Sequence, residues 1–169
     1  MTPAFQIENV YPERMPEQLA LAAYRQALQS QSAASVQSSC HEPAGRVQLP
    51  ETESAGLSLA GMAQLVDALG KCAGCPLKCS RPADRAICRE ECLLLSMLSG
   101  IQHGDDETAF VSAIGLAGPQ GALDVIAAGG TFAIALKQAS QILLPVPADR
   151  IWKIVNTASH AATRKRELN

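Results

Sequence analysis

Five of the six cysteines in this sequence are crowded between Lys71 and Cys92, and no other feature restricts the fold as strongly. Their spacing is Cys72-x2-Cys75-x3-Cys79-x8-Cys88-x3-Cys92. Thiols at such short intervals can bind a metal ion or form disulfides, and either would fix the path of the chain. The segment is therefore the first place to look for a site.

The composition indicates a mainly helical protein. The chain has 169 residues, of which 47% are apolar and only 4% aromatic. This length suits one domain with a real core, and the abundance of Ala and Leu favours helices packed through aliphatic side chains. We expect a mainly α fold, a compact bundle of about five to six short helices with a cysteine-rich loop-helix module and a loosely attached N-terminal helix.

Apolar periodicity and the positions of Gly and Pro predict the helices and the division of the chain. We expect helices over about 16–34, 57–69 and 82–102, and further helices over 105–117, 119–128, 131–143 and 147–166. Residues 35–53 are rich in Ser, Gln, Pro and Gly, which is typical of a linker. The predicted division is an N-terminal helix with a flexible linker over 1–53 and a helical domain over 54–169, which contains the cysteine module 71–92.

The apolar region from Phe110 to Ala148 allows two further interpretations. Gly129-Gly130 could be the turn of a helix-turn-helix, but the helix that follows is apolar apart from Lys137, so core packing is favoured. Only Asp124 and Lys137 are charged in this region, yet glycines, a proline and polar residues interrupt it. We therefore expect core helices and no membrane span.

The N-terminal sequence predicts a cytoplasmic location. It has neither the basic start nor the apolar stretch of a secretory signal. A reducing compartment argues against structural disulfides such as 75 to 92 and 79 to 88. A disulfide-stapled hairpin is thus a minor alternative for the cysteine segment.

Two kinds of metal centre fit the cysteine spacing. Zinc could be held by Cys72 and Cys75 from a turn and by Cys88 and Cys92 from one helix face, with sulfurs at about 2.3 Å and Cys79 left over. An iron-sulfur cluster could instead use the close trio that includes Cys79, with a fourth thiolate from Cys88, Cys92 or the distant Cys40. The sequence does not decide between them.

A thiol switch is the remaining functional interpretation of these cysteines. Cations can favour the charged form of a nearby sulfur, and the segment carries several of them. They are Lys71, Lys78, Arg81, Arg85 and Arg89. The same cations could also stabilise a negatively charged metal-thiolate centre or form a basic rim that contacts a partner.

Other polar residues are most simply structural. The run Asp105-Asp106-Glu107 suits the first turn of a helix, and Asp124 suits a cap or a solvent-facing position. His103 and His160 are isolated, and Cys40-His41 falls in the linker. With no phosphate-binding glycine loop and no catalytic motif, we expect a protein that is not an enzyme.

Two functions from different classes follow. The first is a non-enzymatic regulator or adaptor with a cysteine-bound zinc ion or iron-sulfur cluster, involved in transcription regulation or redox sensing. A protein partner, and nucleic acid as a further possibility, would contact the basic rim formed by Lys78, Arg81, Arg85 and Arg89. The alternative is an accessory subunit of a larger assembly, which docks through the N-terminal helix and the apolar region 110–148.

Overall fold

The described part of the chain is a bundle of five helices. The computed structural model describes residues 14–36, 53–72 and 87–166, with side chains over 14–31, 59–72 and 87–157. Within these ranges there is no strand, and the helices are α1 (Met15–Val36), α2 (Glu53–Cys72), α3 (Arg89–His103), α4 (Asp106–Gln138) and α5 (Ala148–Arg166). The predicted mainly α fold is confirmed.

Helix α3 lies at the centre of this bundle. All residues from Glu91 to Gly100 are buried, and α3 packs along α4 while also contacting α1 and α5. The sequence predicts a one-sided apolar stripe on this helix, but the structure covers every side of it. Because no side faces water, its polar side chains need partners inside the protein.

The sequence predicts two breaks within α4, one at residue 118 and one at residues 129–130. The structure contains only the first of them. Gly118 has φ 77° and ψ 170°, and Pro119 follows, so the helix is kinked there. At Gly129-Gly130, where a turn is expected, the helix continues without interruption to Gln138. The predicted boundary between helices 119–128 and 131–143 is therefore wrong, and the helix-turn-helix, which the sequence already disfavours, is not formed here.

Gly129 lies at a close contact between α4 and α3. A Cβ there would lie 2.9 Å from Cε of Met97 on α3, which is closer than Cβ atoms approach other atoms. Cε is the flexible end of the Met97 side chain, so a small shift of that side chain would make room for an alanine, and the glycine costs the helix about 1 kcal/mol relative to Ala. This glycine lies in a helix contact and not in a turn.

Helix α1 contributes to the core. Ala20 and Tyr24 are fully buried, and the helix packs on α2 and α3. Arg25 on α1 forms an ion pair with Glu91 on α3, with 2.7 Å between Nε and Oε1. The expectation of a loosely attached N-terminal helix is not confirmed.

Several boundaries differ from the expectation. Helix α2 runs from Glu53 to Cys72 where 57–69 is predicted, and α4 ends at Gln138 where a helix to 143 is predicted. Helix α3 begins at Arg89, and residues 87–88 before it are not helical, whereas the sequence predicts a helix from Pro82. The predicted linker lies mostly in residues 37–52, which are outside the described residues, as are residues 73–86.

The connection from α4 to α5 is held by side chains from other helices. Residues 141–147 are not helical, and Gln102 of α3 makes three hydrogen bonds at one end of them. Its Nε2 donates to the carbonyls of Ala133 (3.2 Å) and Gln141 (3.0 Å), and its Oε1 accepts from the N–H of Leu143 (2.9 Å). One amide therefore joins α3, the last part of α4 and this connection.

Further bonds fix the middle and the end of the same connection. Ser99 donates to the carbonyl of Leu144 (2.7 Å), and the single hydroxyl hydrogen of Thr108 is shared between the carbonyl of Val146 (3.0 Å) and the carboxylate of Asp105 (2.7 Å). The N–H of Leu144 donates to the buried carboxylate of Glu17 on α1 (2.8 Å). Side chains of α1, α3 and α4 thus satisfy the backbone of a segment that has no secondary structure of its own.

One helix in the described part of the chain is long and apolar enough to cross a membrane. This is α4, by length and composition alone. Core helices of soluble proteins meet the same criterion, so no membrane span is demonstrated.

Replacing Gln102 should destabilise the fold strongly. Gln102→Leu keeps most of the volume but leaves two carbonyls and one N–H without their partner, so we expect a loss of about 2–4 kcal/mol in the free energy of unfolding. Gln138→Leu is the matched control, because Gln138 is exposed at the end of α4. Urea unfolding of both variants measures the difference, and equal midpoints would contradict the account.

Asp105 should make stability depend on pH in the acid range. It caps α4 by accepting bonds from Thr108 N–H (3.0 Å) and Oγ1 (2.7 Å), and these bonds lower the pKa of its carboxyl. A lowered pKa gives stability that is present above about pH 4, the unfolded value, and is lost as the pH falls through the folded value. Asn caps helices equally well but does not titrate.

The comparison of wild type with Asp105→Asn tests this cap. The advantage of the wild type in unfolding free energy should shrink between about pH 5 and pH 2. Chemical unfolding at several pH values measures it. A difference that does not change with pH would show that the carboxylate charge plays no part.

Candidate metal centre

The structure describes three of the five clustered cysteines, and they stand at helix ends. Cys72 is the last residue of α2, Cys88 is the N-cap of α3, and Cys92 lies in the first turn of α3. No disulfide joins these three to one another. The remaining predicted site residues, Cys75, Lys78, Cys79, Arg81 and Arg85, lie outside the described residues, as does Cys40.

Cys72 is pressed against α4 just after its kink. A Cβ at Gly121 would lie 2.6 Å from the Cβ of Cys72 and 2.9 Å from its sulfur. Only a glycine therefore permits this contact. The sulfur lies beside the first turn of the second segment of α4, where Pro119 leads the helix and the dipole favours negative charge.

Cys88 is held by a capping box. It has extended backbone angles (φ −78°, ψ 171°), and its N–H donates to the Glu91 carboxylate at 3.0 Å. In return, the Cys88 side chain accepts from the N–H of Glu91. The sequence predicts Cys88 on the helix one turn before Cys92, but it precedes the helix, and the reason is this exchange of bonds with Glu91.

The described surroundings of the two thiols at the start of α3 raise their pKa. Burial, with the nearby carboxylates of Glu90 and Glu91, raises the pKa of the Cys88 thiol to about 11. Burial also raises the pKa of Cys92, and the charge of Arg89 and a bond from Ser96 offset only part of this effect. Arg89 thus favours the Cys92 thiolate, as expected of a cation, but by less than burial opposes it; Lys78, Arg81 and Arg85 lie outside the described residues.

Arg89 is attached to the fold. Its Nη1 donates to the carbonyl of Gly115 at 3.3 Å, and its Nε is buried with no hydrogen-bond partner. Gly115 lies near the end of the first segment of α4, where the kink at Gly118 interrupts the helix and where a cation is favourable. Of the four residues of the predicted basic rim, the one that is described is half-buried.

The ends of α2 and α3 both contact α4 around its kink. Cys72 of α2 touches Gly121 after the kink, whereas Leu93 of α3 lies against Gly115 before it, where a Cβ would approach the Leu93 side chain to 2.9 Å. Cys72 therefore lies against α4 after the kink, and the helix that Cys88 caps packs against α4 before it. The stretch between Cys72 and Cys88 carries Cys75 and Cys79.

The described residues alone do not make a metal site. Among the residues that the structure describes, no group of three or more His, Cys, Asp or Glu side chains could hold an ion. Cys72, Cys88 and Cys92 are thus not a ligand set without sulfurs from residues 73–86. The zinc and iron-sulfur hypotheses both require such sulfurs.

The other polar candidates have structural positions. Asp106 and Glu107 lie in the first turn of α4 and Asp124 is exposed, as expected, whereas Asp105 precedes the first turn as the N-cap. His103 ends α3, where its Nε2 lies 2.9 Å from the carbonyl of Leu143. His160 has no described side chain.

Two buried acids went unnoticed in the sequence. Glu17 and Glu91 are both 0% exposed; Glu17 joins α1 to the connection before α5, and Glu91 joins α3 to α1. A signal for Glu91 exists, because an acid three residues after a helix cap is typical of a capping box. Glu17 offers none beyond its place in a first turn.

Comparisons with known proteins give no assignment. No protein family matches the sequence, no curated protein is similar to it, and no solved structure matches the fold.

Gly121 should be essential for the position of Cys72. Gly121→Ala places a methyl group where the Cys72 side chain lies, so we expect a loss of about 1–3 kcal/mol in unfolding free energy. Gly130→Ala is the matched control on the same helix, because a Cβ there meets nothing within 4 Å. This control should gain about 0.5–1 kcal/mol from helix propensity.

Thermal and urea unfolding at low protein concentration measure both glycine variants. If Gly121→Ala were as stable as Gly130→Ala, the close contact between Cys72 and α4 would be absent in solution.

Proposed function

We propose that this protein is a non-enzymatic regulator or adaptor in which cysteines of the segment 72–92 bind zinc or an iron-sulfur cluster. The observation that carries the proposal is the placement of Cys72 and Cys88. One ends α2 and the other caps α3, and the two helix ends meet α4 on either side of its kink. The chain between them brings two more thiols.

The donor set suits a soft or borderline metal. Four cysteine thiolates are the ligands of structural zinc sites and of most iron-sulfur clusters. Cys72 and Cys88 are half-buried, which keeps competing water partly away. Cys92 is more deeply buried than these two sulfurs.

Charge at the site supports a bound metal more than a free thiolate. A zinc ion with four thiolates has a net charge of about −2. Two features of the structure favour such a negative charge: the start of the second α4 segment beside Cys72, and the guanidinium of Arg89 near Cys92. The raised pKa values of Cys88 and Cys92 mean that a metal must displace protons to bind these sulfurs. Metal affinity should therefore rise with pH.

The regulatory part of the proposal depends on the connection between the two helices. A metal would fix residues 73–86, and with them Lys78, Arg81 and Arg85, in one arrangement. A partner with acidic groups, or the phosphates of nucleic acid, could then contact these side chains only in the metal-bound form. Loss or oxidation of the centre would release that surface, which is how such a protein could sense redox state.

Metal content of the purified protein tests the proposal. Protein prepared without oxygen should contain zinc, or iron with visible absorption, and Cys72→Ser and Cys88→Ser should lose it while α-helical content stays. Cys79→Ser separates the two metals, because a zinc site over Cys72, Cys75, Cys88 and Cys92 does not need that sulfur and the cluster does.

Incubation with each metal and a count of free thiols decide how a sample without metal is interpreted. Protein that contains neither zinc nor iron, even after anaerobic incubation with each metal, would contradict the proposal. A titration of free thiols would then show whether the cysteines are reduced or paired.

An accessory subunit is the second candidate function. The observation in its favour is the exposure of Leu123 (70%) and Ile134 (55%) on α4. Docking through the N-terminal helix has less support, since α1 places Tyr24 and Glu17 in the core. Removal of residues 1–50 would take these buried residues away and damage the fold itself. A loss of association after such a truncation would therefore not demonstrate docking through α1.

A further inference from the structure

The second segment of α4 presents one continuous face to solvent. Between Pro119 and Gln138 the exposed positions recur every three or four residues, as one side of a helix does. They are Gln120, Leu123, Asp124, Ala127, Thr131, Ile134, Lys137 and Gln138. The opposite side carries the buried residues Val125, Phe132 and Leu136.

The middle of this face is apolar, with a large side chain at each end and two small residues between them. Leu123 and Ile134 are large and exposed, and between them lie Ala127 and Gly130, where a Cβ at position 130 would meet nothing within 4 Å. We define these four residues as the α4 stripe. Large exposed aliphatic residues one above another on a helix are typical of a surface that binds another helix.

We propose that the α4 stripe binds the α4 stripe of a second copy of this chain, with the two helices antiparallel. A two-fold axis that passes between the two helices, at the level midway between Ala127 and Gly130, places Leu123 opposite Ile134 of the partner subunit. The same axis places Ala127 opposite Gly130 of the partner subunit. The stripe is thus complementary to itself, which a symmetric dimer interface requires.

The sizes of the side chains suit this pairing. Small residues at the centre let two helix axes approach to the lower end of the usual 8–10 Å, and the large residues then meet at both ends. In a parallel pair each Leu123 would face its own copy, and nothing in the sequence of the stripe would favour that register.

The polar edge of the face is also complementary in the antiparallel pair. Asp124 and Thr131 lie on the same flank of the stripe, and the two-fold axis brings like flanks together. Asp124 then comes within about 3 Å, along the helix axis, of Thr131 of the partner subunit, whose hydroxyl can donate to the carboxylate. Gln120 meets Gln138 of the partner subunit in the same way.

No pair of like charges opposes this arrangement. The two Asp124 carboxylates are about 13 Å apart along the axis, which exceeds the screening length of about 8–10 Å at physiological salt. The two Lys137 side chains lie still further apart, about 25 Å along the axis, and each donates within its own chain to the carbonyl of Gln102 at 2.7 Å. The face therefore carries no charge that a second copy would repel.

The expected dimer is weak. A contact along one face of one helix buries less surface than the roughly 1,200 Å² of a stable interface. Association should therefore depend on protein concentration in the micromolar range. This inference does not rest on the metal centre, because the stripe contains no cysteine.

Sedimentation of the full chain from about 1 µM to about 500 µM tests the proposal. Wild type should change from monomer to dimer, and Leu123→Lys and Ile134→Glu should each weaken association by about tenfold or more, because each leaves a charge unpaired in an apolar contact. Met15→Lys is the matched control, since Met15 is exposed (63%) on α1 and should not affect it. Circular dichroism verifies that all variants remain helical.

A mixture of the two charged variants tests the register. Leu123→Lys facing Ile134→Glu forms one ion pair in the antiparallel dimer and retains one native Leu-Ile pair, so tagged Leu123→Lys should capture untagged Ile134→Glu better than it captures itself. A parallel pair gives no such rescue. A wild type that stays monomeric at 500 µM, a dimer unaffected by either substitution, or a mixture without rescue would each overturn the proposal.

Discussion

The burial of α3 on all sides is the constraint on which the rest of the structure depends. A helix with no side in water must find internal partners for its polar groups, and Glu91, Ser99 and Gln102 each find one on another segment. These partners lie on α1, on α4 and on the connection before α5. The polar residues of one central helix therefore determine how the elements far away in sequence are arranged around it.

Contacts with other helices also determine where the described cysteines Cys72 and Cys88 lie. Glu91 is paired with Arg25 of α1, and it also accepts the N–H of Cys88. The start of α3, and with it the first cysteine of that helix, is thus tied to the core through a buried carboxylate. At the other flank, Cys72 is positioned by the absence of a side chain at Gly121. Both fixed sulfurs follow from packing, and both border the stretch that holds the remaining thiols.

The sequence predicted the elements whose signals are local. Pro119 after Gly118 correctly marked the kink in α4, because proline cannot donate the helical bond and the glycine adopts a positive φ. Asp105 was recognised as a helix start for the same kind of reason. Residues whose role depends on a distant contact carry no such signal: the pair Gly129-Gly130 has the sequence of a turn, but it lies within a continuous helix, where Gly129 faces Met97 of α3. The partners of Gln102 and Glu17, which lie about 30 to 130 residues away, leave no pattern in the sequence.

The central claim is that sulfur atoms from both helix ends share one metal. X-ray absorption at the zinc or iron edge of the intact, anaerobically purified protein tests this most directly. The account predicts a first shell made entirely of sulfur at about 2.3 Å. A shell of nitrogen or oxygen atoms, or a sample with no absorbing metal, would contradict it.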